Sequence, residues 1–181
     1  MNIIVKPHGS DLCYCRPDTT WERENRDFYS PECVNEIQWA PVVFARVCKA
    51  GKCIGKKFAS RYYDGIGCGI LLYCNKNTAF GSCADHTSIL PMPMYSADVL
   101  EGDKAFDISI NGQGHTYILS QAQELLEDTL CRASQLTSLR IGDFVASEIT
   151  PLASLTERTD GETVIKGNFC GNDIFDFRII F

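Results

Sequence analysis

The residue types in this chain that can do chemistry are dominated by ten cysteines, set against three histidines. The cysteines fall at positions 13, 15, 33, 48, 53, 68, 74, 83, 131 and 170. No two of them stand as C-x-x-C, so neither a zinc ribbon nor a thioredoxin-type motif is written here. Cys13 and Cys15 make a C-x-C, and Cys48 and Cys53 flank a Lys/Gly turn. Cys48, Cys68 and Cys74 lie in apolar runs, where a reduced thiol behaves as a small hydrophobe. The thiols are therefore expected to be reduced and structural. The competing reading, a redox- or metal-responsive cysteine protein, requires paired thiolates. His8 sits in a polar loop and is expected to be exposed, and His115 near a hairpin is expected to be solvated. Asp85-His86 and Asp103 and Asp107 lack ligand spacing. Gly65, Gly67 and Gly69 recur at every second position with no helical pattern after them. That is not a phosphate-binding glycine loop; alternate glycines in a strand instead imply close approach of another backbone.

The elements that would position such residues are mostly strands. Asn2–Val5 reads as a short strand broken by Pro7 and Gly9. The run from Ile37 to Cys48 reads as a buried strand. Pro41 inside it lacks a ladder donor, which predicts an edge or a bulge. Lys56–Asp64 has Phe58/Tyr62 and Ala59/Tyr63 at i,i+4 spacing and predicts a short helix, followed by a strand over Ile70–Cys74. Residues 75–103 read as loop. Phe106–Ile110 and His115–Leu119 flank Asn111-Gly112, a hairpin signal. Ser120 with Gln123 predicts a capping box for the main helix, whose Leu126, Leu130 and Ala133 recur at helical spacing to about Leu136. Phe144–Ile149, Thr163–Phe169 and Ile174–Phe181 complete the strands. No linker divides the chain, so one domain over residues 1–181 is expected.

Composition narrows the function classes. The chain has 181 residues, 45% hydrophobic and 22% charged, ordinary for a globular protein with a core of its own. A net charge of −6 argues against nucleic acid, which needs a basic field. The nearest approach to a basic cluster, Lys49, Lys52, Lys56 and Lys57, reads as a solvated loop. No run reaches the roughly 18 apolar residues needed to span a bilayer, and the first residues lack a secretory apolar stretch. A cytoplasmic protein without nucleic-acid or membrane partners is expected.

The segment Phe28–Gly69, FYSPECVNEIQWAPVVFARVCKAGKCIGKKFASRYYDGIGCG, resembles a core segment of the fumarylacetoacetate hydrolase family. Other segments agree in order. Arg16-Pro17-Asp18-Thr19 is similar to the family's "K-P-D-T". Ser134–Asp143 is similar to "S-Q-F-x-T-L-x-x-G-D", and Asp176-Phe177 to the final "L-x-D-F-x-I" hairpin. The resemblance implies an α+β, predominantly β fold: a β-roll of mixed sheets with one main packed helix, usually assembled as a homodimer. It also implies metal-dependent hydrolysis, decarboxylation or tautomerisation of 2-keto and 1,3-dicarbonyl acids. In that chemistry Mg2+ or Mn2+ chelates the keto-acid oxygens and stabilises the enolate.

The residues at the implied metal site are the wrong kind. The family's E-x-E falls on Ala40 and Val42, and its following Asp on Leu71. None has a lone pair to offer, so no metal ligand and no bound cofactor is expected there. The family's histidine-bearing N-terminal helix is compressed to Lys6–Leu12. The "K-x-F-D" lysine falls near Asn77–Gly81 without a matching motif. The "Q-x-G-N-T" loop is replaced around Gly114–Gln121, and "T-G-T-P" reads Ser147-Glu148-Ile149-Thr150-Pro151. Arg16, Asp18 and Glu36 remain as candidates for lining the old cleft; Glu36 shares a strand face with Ala40 and Val42 if the strand is regular. Asp64 is expected to cap or pair locally with Arg61. No catalytic residue can be named. The expectation is a catalytically degenerate family member, a binding or scaffolding subunit with an active paralogue as a candidate partner. The alternative is an active hydrolase or isomerase of the same class with a relocated site.

Overall fold

The computed structural model describes residues 1–76, 78–100 and 102–181, with the side chain of Thr78 also outside the description. The strands are β1 (Asn2–Lys6), β2 (Tyr14–Pro17), β3 (Trp21–Glu22), β4 (Phe28–Tyr29), β5 (Glu36–Val47), β6 (Tyr63–Cys74) and β7 (Ser88–Ile89). They continue as β8 (Ala105–Ile110), β9 (Gln113–Ile118), β10 (Phe144–Glu148), β11 (Ala153–Glu157), β12 (Glu162–Phe169) and β13 (Asn172–Ile180). The helices are a single turn α1 (Thr78–Gly81) and the main helix α2 (Ala122–Leu136). One mixed sheet runs β2-β1-β10-β5-β6-β7-β3, with β11 added on β5; a second runs β4-β13-β12-β8-β9. This is the predominantly β, α+β architecture expected.

The long antiparallel pair β5–β6 is the spine of the larger sheet, in register from Ile37 opposite Cys74 to Arg46 opposite Gly65. Successive side chains on a strand point to opposite faces. One face of this sheet carries Ile4, Val43, Ala45, Cys68 and Val145. These are buried together with Leu126, Leu130 and Ala133 of α2 and with Phe106, Phe169 and Phe175 of the second sheet. Each valine, leucine, isoleucine and phenylalanine among them contributes about 1.5–3 kcal/mol on leaving water, so this shared apolar layer is what joins helix and sheets. The opposite face carries the candidate site.

Several elements differ from expectation for identifiable reasons. Pro41 is neither at an edge nor in a bulge. Its carbonyl accepts the Ile149 N–H at 2.8 Å, and a strand residue's N and O point to the same side. The missing donor therefore faces the gap where β10 pairing ends at Val42 and β11 pairing begins at Trp39. The predicted helix over Lys56–Asp64 is a 3-10 segment, Lys56–Arg61, because β6 already begins at Tyr63. The capping box at Ser120 does not form: α2 begins at Ala122 behind Gln121, with no side-chain cap, and Gln123 donates to Glu127 instead. Of the three alternate glycines, Gly69 meets another backbone, since a Cβ there would lie 2.2 Å from the Ile89 carbonyl oxygen. Gly67 instead makes room for the Phe44 ring and Gly65 for Met94. Asn111 and Gly112 turn the β8–β9 hairpin with φ of 49° and 84°.

Candidate functional site

The site face follows from strand register. Ala40 lies opposite Leu71, and Gln38 opposite Tyr73, on β5 and β6. Val42 has Gly69 on one side and Glu148 of β10 on the other, and Phe44 lies opposite Ala146. Residues paired across an antiparallel ladder share a face. Ala40, Val42, Leu71, Tyr73 and Glu148 therefore stand on one surface. β1 and β2 extend it, with Tyr14 opposite Val5 and Arg16 opposite Ile3.

At its centre this surface is core. Ala40, Val42 and Leu71 are each 0% exposed. Val42 and Leu71 belong to an apolar cluster with Ile3, Val5, Phe44 and Leu90, against which Trp21, Met94 and Leu152 also pack. A hard divalent cation takes about six oxygen ligands, carboxylates among them. These three side chains supply none. The adjacent carboxylate, Glu148, accepts one hydrogen bond on each oxygen and is a single carboxylate where a hard cation calls for several. Among the described residues no group of three or more His, Cys, Asp or Glu side chains could hold a metal ion. The residues present do not fit Mg2+ or Mn2+.

Polar chemistry survives at the rim of the same face. A cleft of about 600 Å³ is lined by Pro7, His8, Tyr14, Cys15, Tyr73, Ala79, Ser82, Glu148, Pro151 and Leu152. Glu148 is 4% exposed. Its Oε1 accepts a very short hydrogen bond from the Tyr73 hydroxyl, and its Oε2 accepts the His8 backbone N–H at 3.0 Å. The Tyr14 and Tyr73 hydroxyls are also in very short contact. Tyr73 has one hydroxyl hydrogen and donates it to Glu148, so Tyr14 is the donor in that second bond. The result is a directed chain, Tyr14 to Tyr73 to the carboxylate. Burial pushes the Tyr14 phenol up to about 12 and raises Tyr73 as well, with Tyr14 and Glu148 adding to the latter. Both phenols therefore keep their protons at neutral pH.

The structure does not bring Arg16, Asp18 and Glu36 together, and none of them lines this cleft. Arg16 is 0% exposed behind Tyr73, its guanidinium carbon 4.9 Å from that ring's centre. Its Nε donates to the Ser82 carbonyl at 2.7 Å, Nη2 to Leu72 at 2.5 Å and Nη1 to Thr87 at 3.3 Å. It ties the 82–87 segment to the sheet. Asp18 is exposed and opens the 3-10 turn Asp18–Thr20. Glu36 stands at the start of β5 and pairs with Lys76 at 2.6 Å. Ala40 is four positions further along the strand, roughly 13 Å away. Asn77, where the lysine motif was sought, lies outside the described residues. Asp64 pairs not with Arg61 but with Arg46 across the β5–β6 ladder, both oxygens at 3.0 Å.

His8 is exposed at the cleft mouth, His86 Nδ1 lies 2.9 Å from Glu22 Oε2, and the His115 ring meets Trp39 edge-on at 6.1 Å. All ten cysteines are free. Cys68 and Cys74 are buried as expected and Cys48 only partly so, while Cys15, Cys33, Cys53, Cys83 and Cys170 are exposed. A larger cleft, about 920 Å³, runs past Phe28, Tyr29, Cys33, Cys74 and Cys83. The smaller cleft, unlike the larger, is lined by the buried Tyr73 and Glu148, and so is the better candidate. Tyr14, Tyr73 and Glu148 escaped sequence reasoning. The available signal was alternation: Tyr73 is two residues beyond Leu71 on one strand, and Glu148 lies in the altered "T-G-T-P" motif.

No protein-family model and no curated protein matches this sequence. Solved structures do. Fumarylpyruvate hydrolase from Pseudomonas aeruginosa, in complex with Mn2+ and pyruvate, superposes with a TM-score of 0.82 at 13% identity, covering 100% of this chain and 90% of that one. The 5-carboxymethyl-2-hydroxymuconate delta-isomerase of Mycobacterium smegmatis gives 0.81 at 11% identity, covering 99% and 78%. Maleylpyruvate hydrolase from Sphingobium sp. SYK-6 gives 0.78 at 13%, covering 97% and 69%. A Yersinia pestis CO92 protein named for the fumarylacetoacetate hydrolase family gives 0.82 at 12%, covering 99% and 92%. At such low identity the likeness speaks to architecture, and the architecture of this chain is the fumarylacetoacetate hydrolase fold.

Proposed function

We propose that this chain is a divergent fumarylacetoacetate hydrolase-family protein that keeps the fold and a ligand cleft but has given up the metal-dependent step. It acts as a binding or scaffolding subunit in the cytoplasm, as a homodimer or paired with an active paralogue. The observation that carries the reading is the full burial of Ala40, Val42 and Leu71, at the positions where the sequence resemblance places carboxylate ligands, with Val42 and Leu71 inside a continuous apolar cluster. The similar structures include hydrolases and an isomerase, one of them holding Mn2+ and pyruvate. A hard cation calls for several carboxylate oxygens, and the Ala40, Val42 and Leu71 positions supply none.

A second reading draws on the Tyr14–Tyr73–Glu148 chain: an active hydrolase or isomerase of the same class with its site moved to the rim. A buried carboxylate beside protonated phenols is a familiar acid–base pairing. One assay separates the two. The protein is incubated with oxaloacetate and with an acylpyruvate, once with excess Mn2+ and once with chelator. The first reading expects no turnover in either arm. Turnover that depends on Mn2+ refutes it, and turnover indifferent to chelator supports the second.

A further inference from the structure

We propose that the Tyr14–Tyr73–Glu148 cleft binds a small organic cation, a primary ammonium on an apolar body, and rejects keto acids. The inference rests on the metal-free reading above, since a bound divalent cation would reverse the charge of the site.

Hydrogen-bond bookkeeping in the cleft carries the argument. The Tyr73 hydroxyl hydrogen goes to Glu148 and that of Tyr14 to Tyr73. The Ser82 hydroxyl donates to the Ala79 carbonyl at 3.3 Å, and the Cys15 thiol to the Arg16 carbonyl at 3.7 Å. The backbone N–H of His8 is held by Glu148. Apart from the exposed His8 ring at the mouth, the lining side chains have no hydrogen left to give. Acceptors remain: two phenol oxygens, and carboxylate lone pairs, since a carboxylate offers about four. A site of acceptors selects a ligand rich in donors.

Charge points the same way. Glu148 is 4% exposed, and its hydrogen-bond partners are neutral, a phenol and an amide. The two nearby cations are committed elsewhere. Arg16 lies behind Tyr73 with its donors on carbonyls. Lys6, on the opposite face of β1 from Val5, pairs with Asp128 at 3.3 Å. A buried carboxylate without a cation gains when an ammonium arrives, whereas a keto acid would bring a second negative charge against it. Pro7, Ala79, Pro151 and Leu152 supply apolar walls, and about 600 Å³ suits a ligand of one ring or a short chain.

The test is isothermal titration of the intact protein with three probes of one shape: phenethylamine, 2-phenylethanol and phenylpyruvate. The amine is expected to bind once per chain, at least tenfold tighter than the alcohol, with no heat from phenylpyruvate. Glu148→Gln should weaken the amine tenfold or more and leave the alcohol unchanged. Tyr73→Phe frees carboxylate lone pairs and should tighten the amine several-fold; it keeps the inference open to refutation should the glutamine variant not fold. Equal or tighter binding of phenylpyruvate, an amine affinity indifferent to Glu148→Gln, or no heat with the amine overturns the inference. A parallel titration with Mn2+ and oxalate separates the causes. Metal binding there means the metal-free reading has failed. Its absence, together with no amine binding, means that only the cation inference has.

Discussion

Replacing Leu71 with aspartate restores the residue type that the family resemblance places at that position, and the structure predicts that the change breaks the protein. Leu71 is 0% exposed, opposite Ala40 and packed among Val42, Leu90 and their neighbours. Removing its side chain costs about 2–5 kcal/mol, as in other buried Leu→Ala changes. Aspartate adds the burial of a carboxylate with no cation beside it, several kcal/mol more. The sum, roughly 5–8 kcal/mol, rivals the ~5–15 kcal/mol by which domains are stable at all. In urea, at a slope of about 2 kcal/mol per molar, Leu71→Ala should lower the midpoint by roughly 1–2.5 M. Leu71→Asp should lower it by roughly 3 M or leave the chain unfolded, with Leu71→Asn between them. The aspartate deficit should also depend on pH. Burial raises the folded carboxyl above its ordinary value of about 3.9, so above that pH the unfolded chain releases its proton first and stability falls as pH rises. The variant should therefore recover toward Leu71→Asn as pH approaches 4. If Leu71→Asp costs no more than Leu71→Ala at neutral pH and shows no pH dependence, the position is wet and roomy, and the reasoning fails.

Further outcomes follow from other parts of the structure. Asp128 of α2 is pushed up by burial but held lower on balance by Arg132 and Lys6, at 2.8 and 3.3 Å. Asp128→Asn should cost up to about 1 kcal/mol at neutral pH, and the difference from the parent should vanish as pH falls below the ordinary carboxylate range, read from melting curves at several pH values. Gly69→Ala places a methyl 2.2 Å from the Ile89 carbonyl oxygen, a backbone atom. Thermal denaturation should show a loss of about 1–3 kcal/mol or more. With a thiol reagent on native protein, Cys33, Cys53, Cys83 and Cys170 should react at once, while Cys68 and Cys74, buried with raised pKa values, should react only on unfolding.

The fold was legible because its longest elements carry strong local signals. The apolar run Ile37–Cys48, the Asn111-Gly112 turn and the spaced leucines of α2 each announce themselves within a dozen residues. What stayed hidden was decided by distant partners. The two-residue strands β3, β4 and β7 exist only because a neighbouring strand lends them hydrogen bonds. Lys56–Asp64 has helical spacing, but β6 takes up its last residues to pair with β5. The site was harder still. Arg16 is a cleft candidate by its place in the segment similar to the family's K-P-D-T, yet here carbonyls of three separate residues, Ser82, Leu72 and Thr87, satisfy it inside the fold. Tyr14, Tyr73 and Glu148 come from three strands, separated by 59 and 75 positions, and only the sheet register joins them. The apolar identity of Ala40, Val42 and Leu71, by contrast, was plain in the sequence, and the structure adds that the space around them is filled.

The most direct test of the central claim is isothermal titration of Mn2+ and Mg2+ into chelator-treated protein, with oxalate present as an enolate mimic. The account predicts no binding heat up to millimolar metal. Binding of one metal per chain at micromolar strength would contradict it, because a hard cation held that tightly requires carboxylate ligands that the buried face of Ala40, Val42 and Leu71 does not possess.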